Sequence, residues 1–395
     1  IFFGRRYFQI PVSKNCQAAR GHTGYIERVM KHNRKIIYWA GFLFSLPIAL
    51  MSYINSSFLS LFVRGEFVGL AYAVASSVSI LALLLAPHVL KRMGGYKFLL
   101  LVIGLDALTV LSFVLAQQAW VIVLAFIFGF AFNMIIVFSL DELLKIFSKN
   151  SATGGARGAY LALANIAWIL AQVIFIFTSM EGVFSFRMIY ALSFLLMGTF
   201  FFLIFFTLKN TADPKYDRIK SVKYVISFFK TTKLCRSFVL NLLLQLFYSV
   251  MVIYTPIYLS VYMGFSWREI GIIFAVMLTP FCLLPFLEGT YSDKVGERKM
   301  LMLGFFIAGV ATFSLFFIRN PVVWIWALVL FMTRVGAATI ETMNDAYFFK
   351  HIKPENEEWV GVYRSAPGTA YIIGPLAALA IFAFVPAFNF IFLTL

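Results

Sequence analysis

The stretch "LLPFLEGTYSDKVGERKMLMLG" runs from Leu283 to Gly304. It places Glu288, Asp293, Lys294, Glu297, Arg298 and Lys299 between two apolar runs, with Gly289 and Gly296 among them. A short charged interruption of this kind reads as a tight turn joining two helices whose apolar lengths are buried. Glycine gives the turn backbone conformations that a Cβ forbids, while Lys and Arg hold to a polar boundary. A worn copy, "LLAPHVLKRMGGYKFLLLVIG", stands at Leu84 to Gly104.

The runs on either side set the class. Hydrophobic residues make up 62% of the 395 and charged residues only 13%, too little polar surface for a domain in water. The apolar runs exceed the roughly 18–20 residues that carry a helix across a hydrocarbon core, and they lack the alternation of barrel strands. An all-α polytopic membrane protein is expected, with helices over 36–62, 66–88, 97–116, 119–143, 157–178 and 187–208. After a polar stretch, further helices are expected over 237–263, 269–288, 299–317, 322–346 and 361–384. Cys16, Cys235 and Cys282 are scattered, as are the histidines, and no nucleotide or nucleophile motif occurs. No enzyme activity, cofactor or metal is expected.

Charge gives the orientation. With helices alternating in direction, 28 of the 33 Lys and Arg fall on the side of the amino terminus, four on the other, and Arg334 within a helix. The positive-inside rule puts that side in the cytoplasm. It also accounts for the net charge of +16 without nucleic acid as a partner. The expected organisation is a basic tail over 1–35, a six-helix bundle over 36–208, a basic cytoplasmic linker over 209–236 and a second bundle over 237–395. Residues 1–29 read as a disordered upstream extension ahead of "MKHNRK". Within the linker, "KYVISFFKTTK" reads as a helix lying on the membrane surface.

The chain also matches itself. "FLSLFV" at Phe58 pairs with "YLSVYM" at Tyr258, "GLAYAV" at Gly69 with "GIIFAV" at Gly271, and "GGYKFLLL" at Gly94 with "GERKMLML" at Gly296. "GAY" at Gly158 pairs with "GVY" at Gly361, and all four matches keep a nearly constant spacing and the same helix order. Two halves of like orientation form a parallel repeat about an axis along the membrane normal. Here the chain resembles the major facilitator superfamily over about residues 36–395, most specifically in the turn between the second and third helices of each half. The second half supplies Gly289, Asp293, Lys294, Gly296, Arg298 and Lys299 of the family motif, with Glu297 its one departure. The first half retains only Gly94 and Lys97, with Pro87 and Lys91 replacing the motif's first glycine and its aspartate. The resemblance implies two six-helix bundles, the twelfth helix truncated after "FNFIFLTL", and a gating role for Gly289, Asp293, Gly296, Arg298, Lys299 and Asp345. An ion pair between Arg298 and Asp345 is expected.

The resemblance further implies a substrate site between the halves, near the bilayer midplane, lined by the first, fourth, seventh and tenth helices. Their polar residues are the candidates: Ser52 and Asn55, then Asn133, then Asn241, Gln245, Tyr248 and Tyr254 beside Pro256. Asn165, Trp168, Gln172 and Tyr371 stand on neighbouring helices. Arg334 is the sharpest, because an arginine at the centre of a membrane helix costs about 2.5–3.5 kcal/mol to insert. Glu341 lies on the same face about 10 Å further along the axis, too far for direct pairing within one helix. Arg334 is expected to contact an anionic group and Glu341 to take a proton. Asp106 is expected in a structural hydrogen bond, and Asp141, Glu142, Asn344 and Asp345 near loop cations.

The expected function is transport of a small solute by alternating access, coupled to protons, in a multi-pass protein of the plasma membrane. The expected partners are the solute, protons and the lipid bilayer, with the chain a monomer. The alternative is a non-transporting membrane sensor or a pseudo-transporter that keeps the fold.

Overall fold

The computed structural model describes residues 18–146, 153–178, 183–208, 223–284, 288, 295–352, 359–385 and 387–393. Eleven of its helices are long and apolar enough to cross a membrane. In the first half these are α1 (Ala18–Ser52), α2 (Gly65–Met93), α3 (Gly95–Leu115), α4 (Ala119–Ile146), α5 (Thr153–Thr178) and α6 (Val183–Thr207). In the second they are α7 (Thr232–Ile257), α8 (Trp267–Leu278, whose membrane span runs on to Leu284), α9 (Glu297–Leu315), α10 (Val323–His351) and α11 (Ala366–Phe384). Short helices at Asn55–Leu59, Lys223–Lys230 and Trp359–Tyr363, and a 3₁₀ segment at Phe388–Leu393, complete the described part.

The boundaries depart from the sequence reading where local chemistry intervenes. The tail expected to be disordered is helical from Ala18, because a helix that already exists extends one residue at a time without a new nucleus. The first membrane helix stops at Ser52 rather than running to 62. Pro47 removes a backbone donor inside it, and the Ser52 hydroxyl donates to the Ile48 carbonyl at 2.7 Å; both bend a helix near its end. Pro256 acts likewise in α7, after which Tyr258–Tyr262 form a π-helical turn. Ser266 then caps α8 by accepting from the Glu269 amide, while Glu269 accepts from the Ser266 amide at 2.8 Å.

The repeat is visible in the packing. In the first half α1 packs on α5, α2 on α4 and α3 on α4; in the second α7 packs on α11, α8 on α10 and α9 on α10. The halves join through α2 with α11 and α5 with α8, two contacts that the same pseudo-twofold exchanges. Gly94 and Gly296, paired by the sequence repeat, have φ of +80° and +87°, and each opens the following helix. That positive-φ backbone is open to glycine and strained for other residues, so one turn has been built twice. Helices α9 and α10 approach backbone to backbone, for a Cβ on Gly336 would run into the Ala308 amide and the Gly304 carbonyl. Small residues let two backbones approach this way in lipid, where dispersion between close surfaces replaces the hydrophobic drive.

Lys223–Lys230 confirms a helix within the linker. It is not wholly a surface rider, for Phe228 is buried against Phe238 of α7 and Trp359.

Candidate functional site

Helix α10 carries the polar chemistry of the second half. It is apolar along most of its length, yet Arg334 and Glu341 both engage Tyr248, Thr339 bonds Glu288, and Asn344 and Asp345 both bond the Tyr363 hydroxyl. Arg334 is 2% exposed. Its guanidinium carbon lies 5.4 Å from the ring centre of Phe247 and 5.3 Å from that of Tyr248, both on α7. Cation–π contact of this kind is worth about 2 kcal/mol or more once desolvated, well short of an ion's dehydration cost. Its Nε is enclosed without a hydrogen-bond partner, and among the described residues no carboxylate pairs with it.

Glu341 accepts from the Tyr248 hydroxyl at 2.9 Å. Tyr248 therefore touches both charged groups, its ring under the cation and its hydroxyl on the anion. Arg334 and Glu341 form no ion pair, although each lies within the electrostatic reach of the other. Tyr53, just past the end of α1, meets Phe274 of α8 with ring centres 4.6 Å apart. Tyr53 belongs to the first half, so this contact lies on the junction of the two. Phe281 closes on the Tyr248 ring at 6.0 Å and takes a 3.4 Å bond from Asn165 of α5 on its carbonyl.

The other sequence candidates divide. Asn133 turns into the α3–α4 contact, donating to the Gly129 carbonyl at 2.7 Å and to Asp106 at 3.3 Å, which gives Asp106 its expected structural bond. Asn55 accepts from Tyr190 of α6 at 2.8 Å. Both are engaged inside the first half. Gln245 donates to Asn241 at 3.5 Å, and Asn241 donates to the Tyr363 carbonyl at 3.1 Å. Gln172 reaches the Ala49 carbonyl at 3.5 Å. Tyr254 is buried against Gly69 of α2 and Pro375 of α11, sealing a seam between the halves. Of the polar candidates, the structure gathers Arg334, Glu341 and Tyr248.

At the basic end of the bundle Arg364 donates to Asp141 of α4 at 2.7 Å, bridging the halves, and Ser76 of α2 donates to the Gly368 carbonyl at 2.8 Å. At the opposite end Trp267 of α8 meets Phe186 at 4.8 Å and Phe175 at 6.4 Å, both from the first half. The halves thus touch beyond both ends of the Arg334 layer.

Of the motif residues, Gly289 and Asp293 lie outside the described residues. Gly296 makes its turn, and Arg298 and Lys299 are exposed. The pairing expected between Arg298 and Asp345 is displaced by one position on α9: the ion pair joining the ends of α9 and α10 is Glu297 with Lys350. Asp345 accepts instead from the Tyr363 hydroxyl at 2.7 Å, and that hydroxyl takes a bond from Asn344 at 2.9 Å. Glu297, the departure from the family motif, is what makes this exchange possible.

Sequence reasoning missed three contributors. Phe247 and Tyr53 are aromatic residues among many, with nothing local to single them out. Glu288 is buried and accepts from the Thr339 hydroxyl of α10. A lone acid at the end of an apolar run was the signal available there.

A family model described as Major Facilitator Superfamily matches residues 37–375. No curated protein matches the sequence. Among solved structures, the nucleoside transporter NupG is similar with a TM-score of 0.72 at 13% identity, over 92% of this chain and 95% of that one. A point mutant of NupG gives 0.70 at 15% identity, over 91% and 96%. A bacterial homologue of the human lysosomal transporter Spinster, inward-facing and unoccupied, gives 0.63 at 13% identity, over 91% and 83%. At such identities the likeness is one of fold. Because the family model runs from the first membrane helix into the last described one, over the same doubled packing, the chain belongs to the major facilitator superfamily.

Proposed function

We propose that this protein is a secondary active transporter that moves a small solute by alternating access, with Arg334 holding an anionic group of the solute and Glu341 carrying a coupled proton. The observation that carries the reading is the enclosed guanidinium of Arg334, which aromatic rings flank and no described carboxylate neutralises. A buried cation is costly without a counter-charge, and a solute anion entering between the halves supplies one. The contacts near each end of the junction, polar at one and aromatic at the other, then act as alternating closures. Breaking Arg364–Asp141 opens the basic end, which the charge bias assigns to the cytoplasm of a cell membrane. Parting Trp267 from Phe186 opens the other.

Flux in proteoliposomes with an imposed pH gradient tests this. Solutes that raise the thermal stability of the purified protein should accumulate with the gradient, and Glu341→Gln should abolish the dependence of flux on the gradient. Absence of flux for every stabilising solute would remove the transport reading.

A further inference from the structure

Arg334 and Glu341 are opposite charges held apart by one phenol ring. Tyr248 places its ring face 5.3 Å from the guanidinium carbon and its hydroxyl 2.9 Å from the Glu341 carboxylate. Left to themselves, a buried cation and a nearby buried anion gain most by pairing directly, since both desolvation costs are then offset at once. Here the spacer prevents it. Among the described residues the guanidinium has no hydrogen-bond acceptor, and Tyr248 is the one hydrogen-bond donor to Glu341. The arrangement is half of a circuit whose missing half runs from a negative group at Arg334 to a positive group at Glu341.

We infer that the solute is a zwitterion: one small molecule with an anionic group for Arg334, a cationic amine for Glu341, and an apolar body. This deepens the central-site reading above and rests on it. A monoanion would neutralise Arg334 and leave the half-buried Glu341 with a single donor; a monocation would satisfy Glu341 and leave the buried Arg334 without a counter-charge. A neutral solute would leave both. Only a ligand carrying both signs completes both groups and adds no net charge to the junction. The rings of Phe247 and Tyr248 that flank the cation suit an apolar body between the two charged ends. Glu341 holds the amine or the proton, not both, so the two occupy it in turn.

A ligand series on one frame tests this with the full-length protein. Phenylalanine carries both charges, phenylpropanoate only the acid, and phenethylamine only the amine. Phenylalanine should raise the melting temperature and bind tightest. Each single-charge analogue should bind about ten- to a hundredfold more weakly, the worth of a hydrogen bond to a charged group. In Arg334→Lys the advantage of phenylalanine over phenethylamine should shrink, and in Glu341→Gln its advantage over phenylpropanoate should vanish. Equal binding of the acid and the zwitterion, indifference of Glu341→Gln to the amine, or no stabilisation by any of the three overturns the inference. Arg334-dependent flux of a solute without both charges would leave the transport reading standing and this one refuted. A protein that neither binds nor moves any solute would sink both.

Discussion

Arg364 and Asp141, one from each half of the repeat, meet at 2.7 Å at the basic end of the bundle. Their side chains are 33% and 22% exposed, so solvent and salt screen the pair. A partly exposed ion pair is worth about 0.2–1 kcal/mol, enough to shift two nearly balanced conformations and too little to lock one. That suits a closure broken and remade in each cycle. Asp141→Asn should therefore move the population toward a basic end that is open, by about 1.4- to 5-fold. Spin-label distances between α4 and the start of α11 measure it, and exchanging the two residues, Asp141→Arg with Arg364→Asp, should restore the original distribution. An unchanged distribution in Asp141→Asn removes this contact from the gating scheme.

The two repeat-related turns should respond alike. Gly94 and Gly296 share a positive-φ backbone with extended ψ, where a residue with a Cβ is strained by about 1–3 kcal/mol. Gly94→Ala and Gly296→Ala should each lower the melting temperature by a similar few degrees. A larger loss is expected at Gly336, where a side chain would collide with the α9 backbone. Gly336→Leu should abolish folded yield, since overpacking against backbone cannot relax by a rotamer change. Normal thermal stability of Gly336→Leu would mean α9 and α10 are not packed as described.

The sequence made the fold legible because each of its signals was one the bilayer enforces: run length, charge by side, and the glycine turn repeated at Gly94 and Gly296. The site was less legible for a physical reason. Membrane helices here are apolar nearly all round, so their sequence does not encode which face turns inward. Asn133 and Asn55 could be placed on the right helices without any sign that Asp106 and Tyr190 would claim them. Arg334 and Glu341 were legible because intramembrane charge is expensive whichever way it points. Their link through Tyr248 depends on how α7 and α10 are rotated against each other. The same limit explains the pairing of Glu297 rather than Arg298 across to α10.

Orientation can be checked directly. With Cys16, Cys235 and Cys282 replaced, Lys230→Cys and Asn320→Cys place one exposed thiol at each end of the second bundle. An impermeant thiol reagent added outside intact cells should label Asn320→Cys and not Lys230→Cys. The opposite pattern would overturn the cytoplasmic placement of the basic end and reverse the order of the two closures.

Arg334 should matter for transport and little for folding. Arg334→Ala exchanges a buried, unpaired cation for a good helix former, so folded yield should hold or rise even though contact with Phe247 and Tyr248 is lost. Flux per folded molecule should fall steeply, because a solute anion would then be buried without its partner, a loss of about 2–5 kcal/mol. Arg334→Lys keeps the charge but not the planar fork, and should recover only part. If Arg334 were a structural strut, the order would invert: Arg334→Ala would aggregate, while the surviving folded fraction carried solute at the normal rate. Flux measured against folded protein across wild type, Arg334→Lys and Arg334→Ala separates the two. A normal rate in Arg334→Ala would end the binding role of this residue, because no other described cation lies enclosed in the junction to take its place.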